Sequence, residues 1–340
     1  MRNYNFNFAL NETKEIREKI CSDIDKIVSY LEGLISGCAV GLWGSFSFGE
    51  GRVKEVNNKL EYVDDLDFVV YTNSIVKFFK WNNNKTLKNL NEKLNINAEI
   101  CVWVKCIPLI KLRLFFCGFP RILNKKGVNI FKEKNIPTIH VYSTYLLKSY
   151  YRLFKYVLTN EKHFLRKAYI EVFRSLVFSK KRDKDTFSLK HNLNQLNEYK
   201  KILTKEQYRI IECSIESRLS LKTKSEIGYD SISKMKPLYD KLFNKYYRTT
   251  STFSMKYYFK LIKFLLQEKK IPNIFINFSK KRFLIHHYLL QALEKNKKIN
   301  ESYLKKAEDT IKKMCYETNQ YKSLEERFSW CIKNLEYIWR

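Results

Sequence analysis

Glycine divides this chain. Of the nine glycines in 340 residues, eight lie before residue 128, six of them between Gly33 and Gly51, and only Gly228 follows. Glycine adopts left-handed and closely approached backbone at little steric cost, so the first part must consist of short elements joined by tight turns. The long remainder has few breakers and reads as helix after helix. The expected fold class is α+β: a small β-sheet flanked by helices over residues 1–140, followed by an all-helical region over residues 141–340.

Hydrophobic spacing places the elements. Ile16, Ile20, Ile24, Ile27, Leu31 and Leu34 recur at intervals of three and four, which predicts an amphipathic helix over 12–35. Asn11 or Thr13 is its N-cap and Gly37 its terminator. Residues 38–43 (CAVGLW) form a short apolar strand ending at Gly44-Ser45, and 62–72 (YVDDLDFVVYT) form a second. A helix around 86–94 leads to a third strand over 96–105, whose continuation is ambiguous between helix and strand. From about Tyr142 the pattern is helical, and Ser323-Leu324-Glu325-Glu326 is a capping box opening the last helix, with Phe328, Cys331, Leu335 and Ile338 on one face. The polar stretches 179–190 and 220–236 read as connections.

Several function classes fall away on composition. The N-terminus carries neither a 7–15-residue apolar run nor small residues of the cleavage type, and no long apolar stretch follows, so a cytoplasmic chain with no membrane partner is expected. Eight cysteines are present, yet none forms a CxxC and none lies near a histidine at ligand spacing, which argues against structural zinc. Several sit in apolar runs, where cysteine acts as a small hydrophobe. The five histidines are scattered, and His286-His287 reads as an interfacial helix pair.

Charge is unevenly shared. Residues 1–140 carry 21 basic against 15 acidic side chains, whereas residues 141–340 carry 43 against 20, so most of the overall +29 belongs to the second region. Such a field draws RNA, another polyanion or a polyphosphate substrate. Codon bias towards Lys, Asn, Tyr, Phe and Ile produces the same composition. Lys180-Lys181-Arg182 and Lys280-Lys281-Arg282 are compact clusters, and Lys256, Lys260 and Lys263 form a stripe beside Tyr257, Tyr258 and Phe259. Basic residues among aromatics grip phosphates and stack on bases; a solvated lysine-rich face has the same pattern.

Three pieces carry chemistry. A strand ends in Gly44-Ser45 and is followed by Gly49-Glu50-Gly51; the next strand carries Asp65-Leu66-Asp67; the one after carries Glu99. Residues i and i+2 of a strand share a face about 7 Å apart at Cα. Two carboxylates there repel unless a cation lies between them, and Mg²⁺ or Mn²⁺ takes oxygen ligands while leaving positions open for phosphate. Glu99 lies opposite the apolar face formed by Ala98, Ile100, Val102 and Val104, so a neighbouring pair of strands would bring three carboxylates together. A salt bridge to a nearby Lys or Arg is its alternative use. The Gly44-Ser45 turn lets backbone approach a phosphate, with the serine hydroxyl and amides as donors.

The order GSFSFGEG…DDLDFVVY resembles the DNA polymerase β-type nucleotidyltransferase superfamily, over roughly residues 38–105. The resemblance implies a mixed sheet of the nucleotidyltransferase type and transfer of an NMP from an NTP to an acceptor hydroxyl, with release of pyrophosphate. It implies that Asp65 and Asp67 bind two metal ions, that Glu99 binds the ion activating the acceptor, and that Gly44, Ser45 and Gly49 contact the triphosphate. The acceptor is RNA such as a tRNA end, a protein side chain or a small molecule, with the charge tilting towards RNA. A catalytically silent RNA- or nucleotide-binding module, or an oligonucleotide second-messenger synthase, are the alternatives.

Two departures stand out. The stretch 52–62 is longer than the family's usual spacing; it is either a hairpin or loop bringing Arg52, Lys54 or Lys59 to the phosphates, or a plain surface loop. Asp64 stands where the family usually has serine, and alternation turns it off the Asp65/Asp67 face.

Overall fold

A computed structural model describes residues 4–57, 59–81, 87, 89–107, 121–124, 138–180, 188–220, 227–250, 280–294, 297–315 and 323–339. The chain is mixed α/β with a helical C-terminal region and divides into two compact units. Unit 1 comprises residues 1–140, 183–194 and 218–221; unit 2 comprises the rest.

In unit 1, helix α1 (Lys14–Leu34) starts where Thr13 accepts a hydrogen bond from the Ile16 amide, and ends ahead of Gly37, whose φ is +65°. Its isoleucine stripe is buried from Ile16 to Ile27, with Val28 and Leu31 completing the face. That stripe packs on one side of a four-stranded sheet in the order β5-β4-β1-β6. The strands are β1 (Ala39–Trp43), β4 (Leu66–Thr72), β5 (Ile100–Cys106) and β6 (Arg121–Asn124). The sheet is mixed: β1 runs antiparallel to β4 and β6, while β4 and β5 run parallel. Parallel neighbours need a crossover, and α3 (Ile75–Trp81) and α4 (Leu90–Leu94) lie along it.

Alternation sorts the strands as their residue types demand. Val40, Leu42, Leu66, Phe68, Val70, Ile100 and Val104 enter the main core with α1. Ala39, Val69 and Tyr71 point the other way and form a small second cluster with Ile107, against which Trp43 packs. The sheet therefore has one face sealed by α1 and another bearing the acidic residues.

The stretch 52–62 is a hairpin. Strand β2 (Val53–Val56) pairs with β3 (Lys59–Tyr62), and Asn57 takes the left-handed conformation that a two-residue turn requires. Lys54 pairs with Glu61 across the ladder at 3.2 Å, and the Tyr62 hydroxyl donates to buried Asp23.

In unit 2 every element among the described residues is helical apart from one isolated bridge. Helices Thr138–Thr159 and Lys162–Phe178 are joined by a short turn at Asn160, φ +59°. Between them Ser149 donates to the Ala168 carbonyl, and Arg152 pairs with buried Glu171 at 3.0 Å. The capping box forms as read: the Glu326 amide donates to Ser323 Oγ and the Ser323 amide to Glu326 Oε2. Phe328 and Cys331 of that helix are buried; the side chains of residues 335 and 338 lie outside the described set. The stretch 220–236 is only partly a connection, because a helix begins at Ser231. It tolerates Pro237, and the Ser231 hydroxyl donates to the Gly228 carbonyl at its start. His286 is buried against Tyr150 and Phe154, and His287 stacks on Phe243. The lysine stripe 256–263, residues 181–182, and the side chains of 280–282 lie outside the described residues. No described helix is long and apolar enough to cross a membrane.

Candidate functional site

Strand register assembles the site on the open face of the sheet. Directly paired residues on adjacent strands project to the same side. Asp67 is paired with Trp43 on β1 and with Cys101 on β5, so these three side chains form one row. Asp65 precedes β4, where the Leu66 amide donates to the Glu99 carbonyl at 2.8 Å. The next row into the sheet is Gly41, Val69 and Trp103.

Asp65, Asp67 and Cys101 each direct a ligand atom to within 4.8 Å of the other two, the one such group among the described residues. Oxygen ligands of one Mg²⁺ lie about 3 to 4.2 Å apart when bonds are about 2.1 Å. The donor set is thus compatible with a divalent cation after small side-chain rotations, and both carboxylates are partly exposed, leaving ligand positions for a substrate. Glu99 stands at the same edge, exposed, with its Oε1 4.0 Å from Cys101 Sγ; the closed group contains the thiol in its place. Alternation alone points to Glu99. The Asp67–Cys101 register, which alternation does not fix, points to Cys101, a softer donor.

The glycine turn touches this group directly. Gly44 has φ +70°, and a Cβ on it would lie 2.3 Å from Asp67 Oδ2. Only glycine allows β1 to end beside Asp67 and turn at once into α2 (Gly44–Ser47), whose last residue donates from Ser47 Oγ to the Gly44 carbonyl. Ser45 lies half-buried in that turn. Gly49, φ +71°, sits against the Asn7 carbonyl, where a Cβ would approach to 3.0 Å, so the N-terminal segment accounts for this glycine.

Asp64 is turned away and buried. Arg52 grips it with Nε and Nη2 at 2.9 and 2.7 Å, the Arg52 amide adds a third bond, and Arg218 reaches it at 3.2 Å. Burial alone would raise this carboxyl, but the hydrogen bonds from Arg52 and the charge of Arg218 outweigh it and hold its pKa below the ordinary carboxylate value. Arg52 is therefore committed to the hairpin base, and Lys54 to Glu61. A folded pKa lowered below the unfolded one means stability present above the unfolded value near pH 4 and lost as pH falls through the folded one. Arg52→Ala is expected to cost about 3 kcal/mol at pH 7, the low end for breaking a buried pair, since Asp64 then keeps Arg218 as its charged partner. It should also flatten the acid loss of stability, because the outweighing partner is gone; urea midpoints from pH 7 to pH 3 test both.

Glu50, at the end of the glycine-rich stretch, is 2% exposed. Its carboxylate accepts from Ser188 Oγ and from the Leu189 and Lys190 amides at 2.6–2.9 Å, capping helix Leu189–Leu196 within unit 1.

Compared with known proteins, the chain matches no family model, no curated protein and no solved structure.

Proposed function

We propose that this chain is a metal-dependent nucleotidyltransferase, moving an NMP from an NTP onto an acceptor hydroxyl and releasing pyrophosphate. The observation that carries the reading is the apposition of the Gly44 turn with Asp67 inside a group of converging ligand atoms. A glycine-serine turn fitted against a strand that carries Asp67, with Asp65 just ahead of it, suits the motif order on which the resemblance to the polymerase β-type superfamily rests, and a nucleotidyltransferase-type sheet belongs to this proposal.

Asp65 and Asp67 would hold Mg²⁺ or Mn²⁺, with Glu99 or Cys101 completing the set. Bound there, the cation supplies the positive charge that neutralises phosphate oxygens during in-line displacement. Asp65 and Asp67 would fix the position of that cation beside the Gly44 turn. Gly44 keeps the backbone close enough for amides and the Ser45 hydroxyl to meet phosphate oxygens. No covalent nucleophile is required. The basic composition of residues 141–340 suits a polyanionic acceptor, so RNA is favoured over a small molecule.

The test is incubation with each α-labelled NTP, Mg²⁺ or Mn²⁺, and tRNA or small hydroxyl acceptors. Label transfer should fall about 10²–10³-fold in Asp67→Asn, the scale for removing one charge-stabilising group. The thiol in the closed ligand group favours one second reading, a catalytically silent nucleotide- or RNA-binding module. Metal-dependent nucleotide binding without transfer to any acceptor or pyrophosphate release would select it.

A further inference from the structure

We propose that Trp103, leaning against Trp43, is a stacking platform for a nucleobase held beside the Asp65–Asp67 edge. The inference rests on the nucleotidyltransferase reading and names a ring-binding subsite that the carboxylates and the glycine turn do not supply.

The two indoles reach each other from different strands. Trp43 closes β1 opposite Asp67, and Trp103 lies on β5 opposite Val69, one row deeper. Their rings meet at 6.0 Å between centroids with planes inclined at 60°. Gly41, in the same row as Val69, presents no side chain on this face, so the Trp43 ring has room to lie over the small apolar cluster of Ala39, Val69 and Tyr71. Trp43 is thereby half-buried and propped. Trp103 keeps 41% of its surface open, whereas Val104 beside it, on the opposite face, is sealed into the main core and Val102 packs against that core.

Single exposed apolar residues are ordinary; position distinguishes this one. Cys101, of the ligand group, is two residues from Trp103 on the same face of β5, a separation of about 7 Å at Cα. A planar ring attached to a phosphate near Asp67 is within reach of the indole, and base–aromatic stacking is sequence-tolerant and stabilising. The proposed metal-held phosphate, together with the basic balance of the chain, favours a phosphate-bearing ligand over a neutral sugar. A nucleobase is the flat apolar group that such a ligand carries.

Equilibrium binding to the full chain tests this, using Mn²⁺ with three probes: α,β-methylene-ATP, a short oligoadenylate and inorganic tripolyphosphate. Stacking of about 1–3 kcal/mol per base corresponds to about a 5- to 150-fold loss. Trp103→Ala should show that loss for a base-bearing probe, Trp103→Phe should retain part of the affinity, and tripolyphosphate should bind both as it binds wild type. Loss confined to the ATP analogue assigns the base to the incoming nucleotide; loss confined to the oligonucleotide assigns it to the acceptor. Unchanged affinity of Trp103→Ala for both base-bearing probes overturns the platform, as does an equal loss for tripolyphosphate, which would make Trp103 a prop for the carboxylate edge. Asp67→Asn separates the two claims. If it weakens tripolyphosphate binding while Trp103→Ala changes nothing, the platform fails and the carboxylate reading stands; if wild type binds none of the probes, both fail.

Discussion

Gly44→Ala is expected to lower the unfolding free energy by about 2–4 kcal/mol, combining about 1–2 kcal/mol for a side chain in left-handed backbone with the cost of overlap. The overlap is specific. At φ +70° the new methyl would stand 2.3 Å from Asp67 Oδ2 and 3.3 Å from Asp67 Cβ, so either β1 retreats or the carboxylate swings away. Both outcomes separate Asp67 from Asp65 and Cys101, which now lie within 4.8 Å of it. Because a misplacement of about 1 Å can cost about 10²-fold in rate, the proposed transfer should fall by about that factor as well. A double-mutant cycle isolates the contact. In an Asp67→Ala background the carboxylate overlap is gone and only the 3.3 Å approach to Cβ remains, so Gly44→Ala should cost little more than the backbone strain of about 1–2 kcal/mol. Equal costs in the two backgrounds would refute the direct apposition of turn and carboxylate, and with it the observation on which the functional proposal stands.

How much of this was legible beforehand follows from what each feature depends on. Helix α1 was readable because its stripe, its Thr13 cap and its Gly37 stop are all local, and the same holds for the Ser323–Glu326 capping box. The face that Asp67 takes was readable because a strand's period of two is fixed by backbone geometry, whereas the strand begins only at Leu66 and Asp65 lies just ahead of it. The hairpin at 53–62 was half-readable: Asn57-Asn58 suits a tight turn, but the alternative of an unstructured loop has the same composition. Register between strands was not legible. Nothing in the spacing of Asp67 and Cys101, 34 positions apart, states that they pair, so the thiol beside Glu99 was not named as a donor. Arg52 and Asp64 illustrate the other gap. The sequence offered Arg52 to phosphate or to a plain surface loop and turned Asp64 off the Asp65/Asp67 face, but did not show that each is spent on the other.

Glu50→Gln carries the second large effect, about 2–4 kcal/mol of lost stability, from three hydrogen bonds that join positions nearly 140 residues apart. Bonds to a charged acceptor contribute about 1.5–3 kcal/mol each, and a buried carboxylate is also stabilised by the positive end of the helix it caps. Glutamine keeps the shape but turns one oxygen into an NH₂ group. Three donors then face a single remaining acceptor, and at least one helix amide or the Ser188 hydroxyl is left buried without a partner. Ser188→Ala removes two bonds, the one Ser188 Oγ donates to Glu50 and the one it accepts from the His191 amide, while leaving the carboxylate on the Leu189 and Lys190 amides, so its cost should stay near about 2 kcal/mol. The ordering decides the matter: urea unfolding should rank wild type above Ser188→Ala and Ser188→Ala above Glu50→Gln. Hydrogen exchange at the Leu189 and Lys190 amides should accelerate in Glu50→Gln. A wild-type midpoint with unchanged exchange would mean that the cap contributes nothing. The glycine-rich stretch that divides the sequence would then serve Asp67 alone; with the cap in place it serves two ends, Gly44 shaping the turn against the carboxylates and Glu50 tying the strand that follows to helix Leu189–Leu196.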